Sequence, residues 1–261
     1  ESKDQMGNVL HIPYPPKRIV SLVPSQTELL FDLGLKNEIC GITTFCIHPK
    51  TETESKEKVG GTKKLNIERI HSLQPDLIIG NKEENEQERI HELQKFYPVW
   101  MSDIVNLSDA YTMIRELARV TNRPEAGIKM ANEISNLFAN YTPIPDRHGA
   151  VYFIWRKPYM VAAGGTFINE MLQRFGVDNV FGHINRYPEV TLEMVAENNP
   201  QFIFLSSEPY PFSEKHVEEF RKKFPSSQVM IVDGEYFSWY GSRLLHVPAY
   251  FEKLKSLCKN G

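Results

Sequence analysis

Asn66-Ile67-Glu68-Arg69-Ile70, followed by Pro75-Asp76-Leu77-Ile78-Ile79, is the stretch on which the fold turns. A capping residue, an acidic group in the first turn and the apolar spacing predict a helix, and the apolar run behind the proline predicts a buried strand. Near the other end of the chain the pattern recurs as Thr191-Leu192-Glu193-Met194-Val195 and Pro200-Gln201-Phe202-Ile203-Phe204, with cap, glutamate, apolar positions and proline in the same register. A looser match joins Leu29 to Gly34 with Met171 to Gly176, each an apolar helix end closed by a glycine where a left-handed cap is needed. Two agreements in the same order imply a duplicated unit. Upstream, Ile19 to Val23 predicts a short strand, and a helix from about Thr27, capped by Thr27 or Ser25, runs to Gly34. Ile39 to Thr43 predicts the next strand, and alternation of this kind predicts a mainly parallel sheet covered by helices.

The expected organisation is therefore two related α/β lobes, 1–103 and 145–261, with connecting helices over 104–144. In that middle stretch Leu107, Ala110, Tyr111, Ile114, Leu117 and Ala118 recur at helical spacing, then Ile128, Ala131, Ile134, Leu137 and Phe138, with a break near Asn122-Arg123-Pro124. This predicts a short helix and then a longer one. Two lobes joined by a helical link leave a cleft between them, which is where small ligands usually bind.

Composition narrows the partners. The 261 residues are 41% hydrophobic and 24% charged with a net charge of -3, so no positive field exists to attract a nucleic-acid backbone. No apolar run approaches the roughly 20 residues of a membrane span, and Glu1 to Gly7 lacks the layout of a signal peptide. Cys40, Cys46 and Cys258 are odd in number and show neither CxxC nor Cys/His spacing, so they write no disulfide framework or zinc site. His48, His183, His216 and His246 form no close set of metal ligands. No GxSxG, GxxxxGK[ST], HExxH or GxGxxG is present, so no catalytic constellation or cofactor site is predicted.

Arg18-Ile19-Val20-Ser21-Leu22-Val23-Pro24-Ser25-Gln26-Thr27-Glu28, Gly60-Gly61, the 66–79 stretch, Gly176-Val177-Asp178-Asn179-Val180-Phe181 and Tyr187-Pro188-Glu189-Val190 agree in order and spacing along the chain. Over about residues 15 to 258 the sequence resembles the helical-backbone metal receptor superfamily, and within it the vitamin B12 and ferric-siderophore binding proteins of ABC importers. The resemblance implies two Rossmann-like α/β lobes joined by a single long backbone helix, with the ligand held in the interlobe cleft and not altered there. It implies a periplasmic or extracytoplasmic monomer that delivers a corrinoid, haem or ferric-siderophore chelate to a permease. By motif position it places the two permease-docking glutamates on Glu68 and Glu193.

The resemblance also carries ligand contacts over to Phe45, Lys63, Asn81, Trp155, Tyr187 and Trp239. Lys63 and Asn81 stand where the B12 binder has indoles, which removes stacking surface from a corrin grip. The residues themselves add a cluster in the second lobe. Trp155-Arg156-Lys157-Pro158-Tyr159 and Tyr236-Phe237-Ser238-Trp239-Tyr240-Gly241-Ser242-Arg243 interleave aromatic faces with guanidinium groups, which suits a planar or anionic chelate. Arg156, Tyr236 and Arg243 join the expected contacts, and with Lys63 and Arg186 they would favour a ligand bearing carboxylates or phosphate. A second reading, a cytoplasmic chelate carrier or chelatase on the same fold, predicts a histidine and a carboxylate facing one another across the cleft.

Overall fold

A computed structural model of the chain describes residues 1–259, so the last two residues of the expected second lobe lie outside the described residues. The chain forms two compact units. The first comprises Glu1–Ile104, Ser108–Ser135 and Tyr240–Arg243, and the second Val105–Leu107, Asn136–Trp239 and the described residues from Leu244 onward.

The first unit opens with a two-stranded antiparallel ribbon, β1 (Ser2–Lys3) and β2 (Val9–Leu10). It continues as β3 (Ile19–Ser21), α1 (Pro24–Asp32), β4 (Ile39–Ile42), α2 (Lys50–Glu54), β5 (Glu57–Lys58), α3 (Ile67–Leu73), β6 (Leu77–Asn81), α4 (Gln87–Gln94) and β7 (Val99–Ser102). Its sheet is parallel throughout in the order β5-β4-β3-β6-β7. Helices α5 (Leu107–Val120) and α6 (Pro124–Asn140) follow, and the division between the units falls inside α6. The break between them sits where expected: Asn122 takes a positive φ of 62° and Pro124 opens α6.

The second unit runs β8 (His148–Trp155), β9 (Met160–Val161), α7 (Phe167–Phe175), β10 (Val177–Asn179), α8 (Leu192–Glu197), β11 (Phe202–Ser206), α9 (Glu214–Lys223), β12 (Gln228–Val232), α10 (Glu235–Ser238), a 3-10 turn (Ser242–Leu245) and α11 (Val247–Lys259). Its parallel strands lie in the order β10-β8-β11-β12, with β9 antiparallel on β8. Strands β4-β3-β6-β7 and β10-β8-β11-β12 thus repeat one topology, as the duplicated sequence predicts.

Central strands of both sheets are buried on both faces, which is why β6 and β11 read as unbroken apolar runs. Val20, Leu22, Ile70, Ile78, Ile90, Leu93 and Val99 build the core on one side of the first sheet, and Val151, Phe153, Ile203, Leu205, Val217 and Phe220 do so in the second. Gly34 and Gly176 adopt φ of 79° and 108° just after α1 and α7, the left-handed caps predicted for them. One start was misplaced. Helix α1 begins at Pro24 after an extended Val23, without a side-chain cap; proline at the first helical position has no N–H that would need an acceptor, and its fixed φ suits a helix start. Thr27 instead turns its hydroxyl inward, donating to Val23 O at 2.9 Å and lying 2.7 Å from the Ser21 hydroxyl.

Candidate functional site

In an open parallel sheet the strand ends that point the same way gather the βα loops, and ligands bind outside the carboxyl ends. The expected contacts sit on such loops in each unit. In the first, Phe45 follows β4, Lys63 follows β5 and Asn81 ends β6. In the second, Trp155 and Arg156 follow β8, Tyr187 lies in the segment after β10, and Tyr236 and Trp239 follow β12.

Phe45 is 60% exposed, with Ile47 beside it in sequence at 53%, so this loop offers an apolar surface to solvent. Lys63 donates to Glu83 O. Asn81 is buried, and its amide is taken up by the protein. Its Nδ2 donates to Ser102 Oγ at 3.0 Å, and its Oδ1 accepts from the N–H groups of Glu83 and Glu84 at 2.8 and 3.2 Å, closing the turn after β6. Arg243 belongs to the first unit, where its Nε and Nη2 donate to the two oxygens of Glu28 at 3.0 and 2.6 Å. This bidentate pair is largely buried. Burial pushes the Glu28 carboxyl up from its usual value, and the hydrogen bond and charge of Arg243 oppose that. Tyr240, buried on the same unit, donates its hydroxyl to Glu84 at 2.9 Å.

In the second unit Trp155 is 39% exposed, donates Nε1 to Lys157 O at 3.2 Å and stands edge-on to Tyr210 at 5.6 Å between ring centres. Arg156 donates to Glu219 of α9 at 2.6 Å, an ion pair that raises its pKa. Burial works against ionisation of Glu219, but Arg156 holds it below the usual carboxylate range. Tyr187 is half-buried, beside an exposed Arg186 whose φ is 69°. Tyr236 stacks on Tyr250 at 4.4 Å, and Trp239, only 6% exposed, donates Nε1 to Glu208 at 3.0 Å.

Glu68 and Glu193 occupy matching places. Each is exposed in the first turn of a short helix, behind a cap whose side chain accepts a backbone N–H: Asn66 from Arg69 at 2.9 Å and Thr191 from Met194 at 3.2 Å. The Glu193 carboxyl is held below its ordinary value by its own backbone N–H and the Thr191 hydroxyl.

Four partners escaped the sequence reading: Glu28, Glu84, Glu208 and Glu219. Each takes a hydrogen bond from a residue expected at the ligand or beside one, and all lie too far along the chain for any local periodicity to expose them. Their effect is electrostatic. The guanidinium groups of Arg156 and Arg243 are already matched by carboxylates within their own units. Among the described residues no group of three or more His, Cys, Asp or Glu is arranged to hold a metal ion, and no helix is long and apolar enough to cross a membrane.

The periplasmic binding protein family model matches residues 19–227. Over 198 residues, 74% of this chain and 71% of the relative, the sequence is 30% identical to a vitamin B12-binding protein of Vibrio parahaemolyticus. Among solved structures, the periplasmic vitamin B12 binding protein of Vibrio cholerae matches with a TM-score of 0.80 at 23% identity, covering 95% of this chain and 100% of that one. A periplasmic heme-binding protein from Roseiflexus sp. RS-1 matches at 0.78 and 20%, covering 94% and 98%. At these identities the structural matches establish the fold. The family match and the sequence relative go further, and the chain belongs to the periplasmic binding protein family.

Proposed function

We propose that the protein is the substrate-binding component of an ABC importer, a monomer acting outside the cytoplasm. It binds a corrinoid, haem or ferric-siderophore type chelate and passes it, chemically unchanged, to a permease. The observation that carries this reading is the collection of aromatic side chains on carboxyl-end loops: Phe45 and Trp155 exposed, Tyr187 half-buried, and Trp239 buried just after α10 in the segment that follows β12. Flat apolar faces with few free charges suit a macrocycle or an aromatic chelate. Lys63, Asn81, Arg156, Tyr236 and Arg243 complete the proposed lining, Asn81, Arg156 and Arg243 chiefly by holding the loops. Glu68 and Glu193, exposed on matching helices, are the proposed contacts to permease cations, where a charge at the rim steers association.

A thermal-shift series with cobinamide, cobalamin, haem and ferric siderophores tests the reading, because a ligand that binds only the folded state raises its apparent stability by mass action. A shift that grows with concentration for at least one chelate, and weakens on Trp239→Ala, is expected. Absence of any shift across the series would refute it.

A further inference from the structure

The loop after β11 holds a carboxylate that none of the expected contacts includes. Glu208 Oε1 accepts two hydrogen bonds, from Ser238 Oγ at 2.8 Å and from Trp239 Nε1 at 3.0 Å. The backbone beneath is tied down too. Ser206 Oγ donates to Glu208 O at 2.5 Å and lies 3.0 Å from the hydroxyl of the buried Tyr152. Gly234 abuts the side chain so closely that a Cβ there would stand 2.5 Å from Glu208 Cγ. Two residues on, Tyr210 stands against Trp155. One loop therefore contacts both the exposed Trp155, through Tyr210, and the buried Trp239, through Glu208.

Only one of the two Glu208 oxygens is used. Oε2 has no donor among the described residues, and it is not enclosed. No Lys, Arg or His pairs with this carboxylate among the described residues, and the charges nearest to it, Glu235 and Asp233, are themselves acidic. A mostly buried carboxylate without a counter-charge costs stability, whereas Arg156 and Arg243 are each neutralised by their own carboxylate. The uncompensated charge beside Trp239 is thus negative, the opposite of what the arginines in the sequence suggest.

We propose that Glu208 determines ligand specificity: Oε1 holds Trp239 in place while Oε2 accepts a hydrogen bond from the ligand, selecting chelates edged with N–H donors such as primary amides over chelates edged with carboxylates. This rests on the solute-binding reading above and narrows its ligand class.

The test compares dicyanocobinamide, whose corrin ring carries amides, with dicyanocobyrinic acid, the same ring carrying carboxylates, by fluorescence titration at pH 7. In Glu208→Gln the two donors at the first oxygen keep the amide carbonyl and turn its NH2 to the open side, replacing an acceptor by a donor of the same shape. The wild type binds the amide probe more tightly, and Glu208→Gln lowers that preference by about tenfold or more, the size of a lost hydrogen bond to a charged group. Glu208→Ala, lacking both atoms, weakens dicyanocobinamide without any gain for the acid. Equal weakening of both probes in both variants, or a wild-type preference for the acid, would overturn the assignment while leaving the solute-binding reading intact. Binding of neither probe by the wild type would remove the corrinoid form of that reading, and the assignment with it.

Discussion

At the scale of single residues, opposite charges are matched across long stretches of sequence. Glu28 and Arg243 are 215 positions apart and form a bidentate, largely buried pair. Breaking such a pair from one side leaves a charge without a partner, so Arg243→Ala is expected to cost about 3 kcal/mol in urea unfolding. The double replacement of Glu28 and Arg243 by Ala costs less than the sum of the two single ones. Glu208 behaves oppositely. Burial, with Glu235 and Asp233 adding to it, raises its pKa, and its hydrogen bonds from Ser238 and Trp239 oppose the shift. A carboxyl whose folded pKa is raised contributes most below its unfolded pKa, and that contribution is lost as pH rises through the folded value. Glu208→Gln, which is neutral at every pH, is therefore expected to melt higher than the wild type at pH 7, and the difference should vanish as pH falls below about 4.5. A pH-independent difference would show that ionisation of Glu208 is not its cause. None of these pairings was legible in the sequence. The loop residues Trp155, Arg156, Trp239 and Arg243 stood out by their chemistry, but whether an arginine meets a ligand or a carboxylate depends on folding that brings remote segments together.

At the scale of elements, local signals read well. The helices α3 and α8 and the strands β6 and β11 were legible because a cap, an acidic first turn and an apolar period are each written within a few residues. Asn66→Ala and Thr191→Ala are each expected to cost about 1 kcal/mol, measured by urea unfolding, since each removes an acceptor from the first turn. Glu68 and Glu193 are a different case. Both are exposed, so Glu68→Lys and Glu193→Lys should leave ligand affinity within error of the wild type while reducing uptake by cells that depend on the importer. A parallel fall in affinity and uptake would argue against docking. The start of α1 was misread because Pro24 replaces a side-chain cap by its own fixed φ, which makes the polar residues after it, Ser25 and Thr27, look like caps when they are interior.

At the scale of the whole molecule, the duplication explains why the chemistry sits where it does. Two sheets of one topology each present their carboxyl-end loops, and the aromatic and polar residues that the sequence marked lie on those loops in both units. The duplicated frame was legible because internal repetition needs no outside reference. The occupant was not, because the balance of free charge on the loops is decided by pairings such as Glu208 with Trp239 and Glu219 with Arg156. The measurement that tests the central claim most directly is a calorimetric titration of the purified chain with cobinamide and haem, followed by unfolding of the complex and mass analysis of the released ligand. Saturable one-to-one binding of at least one chelate, at micromolar concentration or below, with the ligand recovered unchanged, is the result the account predicts. Ligand recovered with its metal removed or replaced, or no saturable binding of cobinamide, haem or a ferric siderophore titrated in the same way, would contradict it.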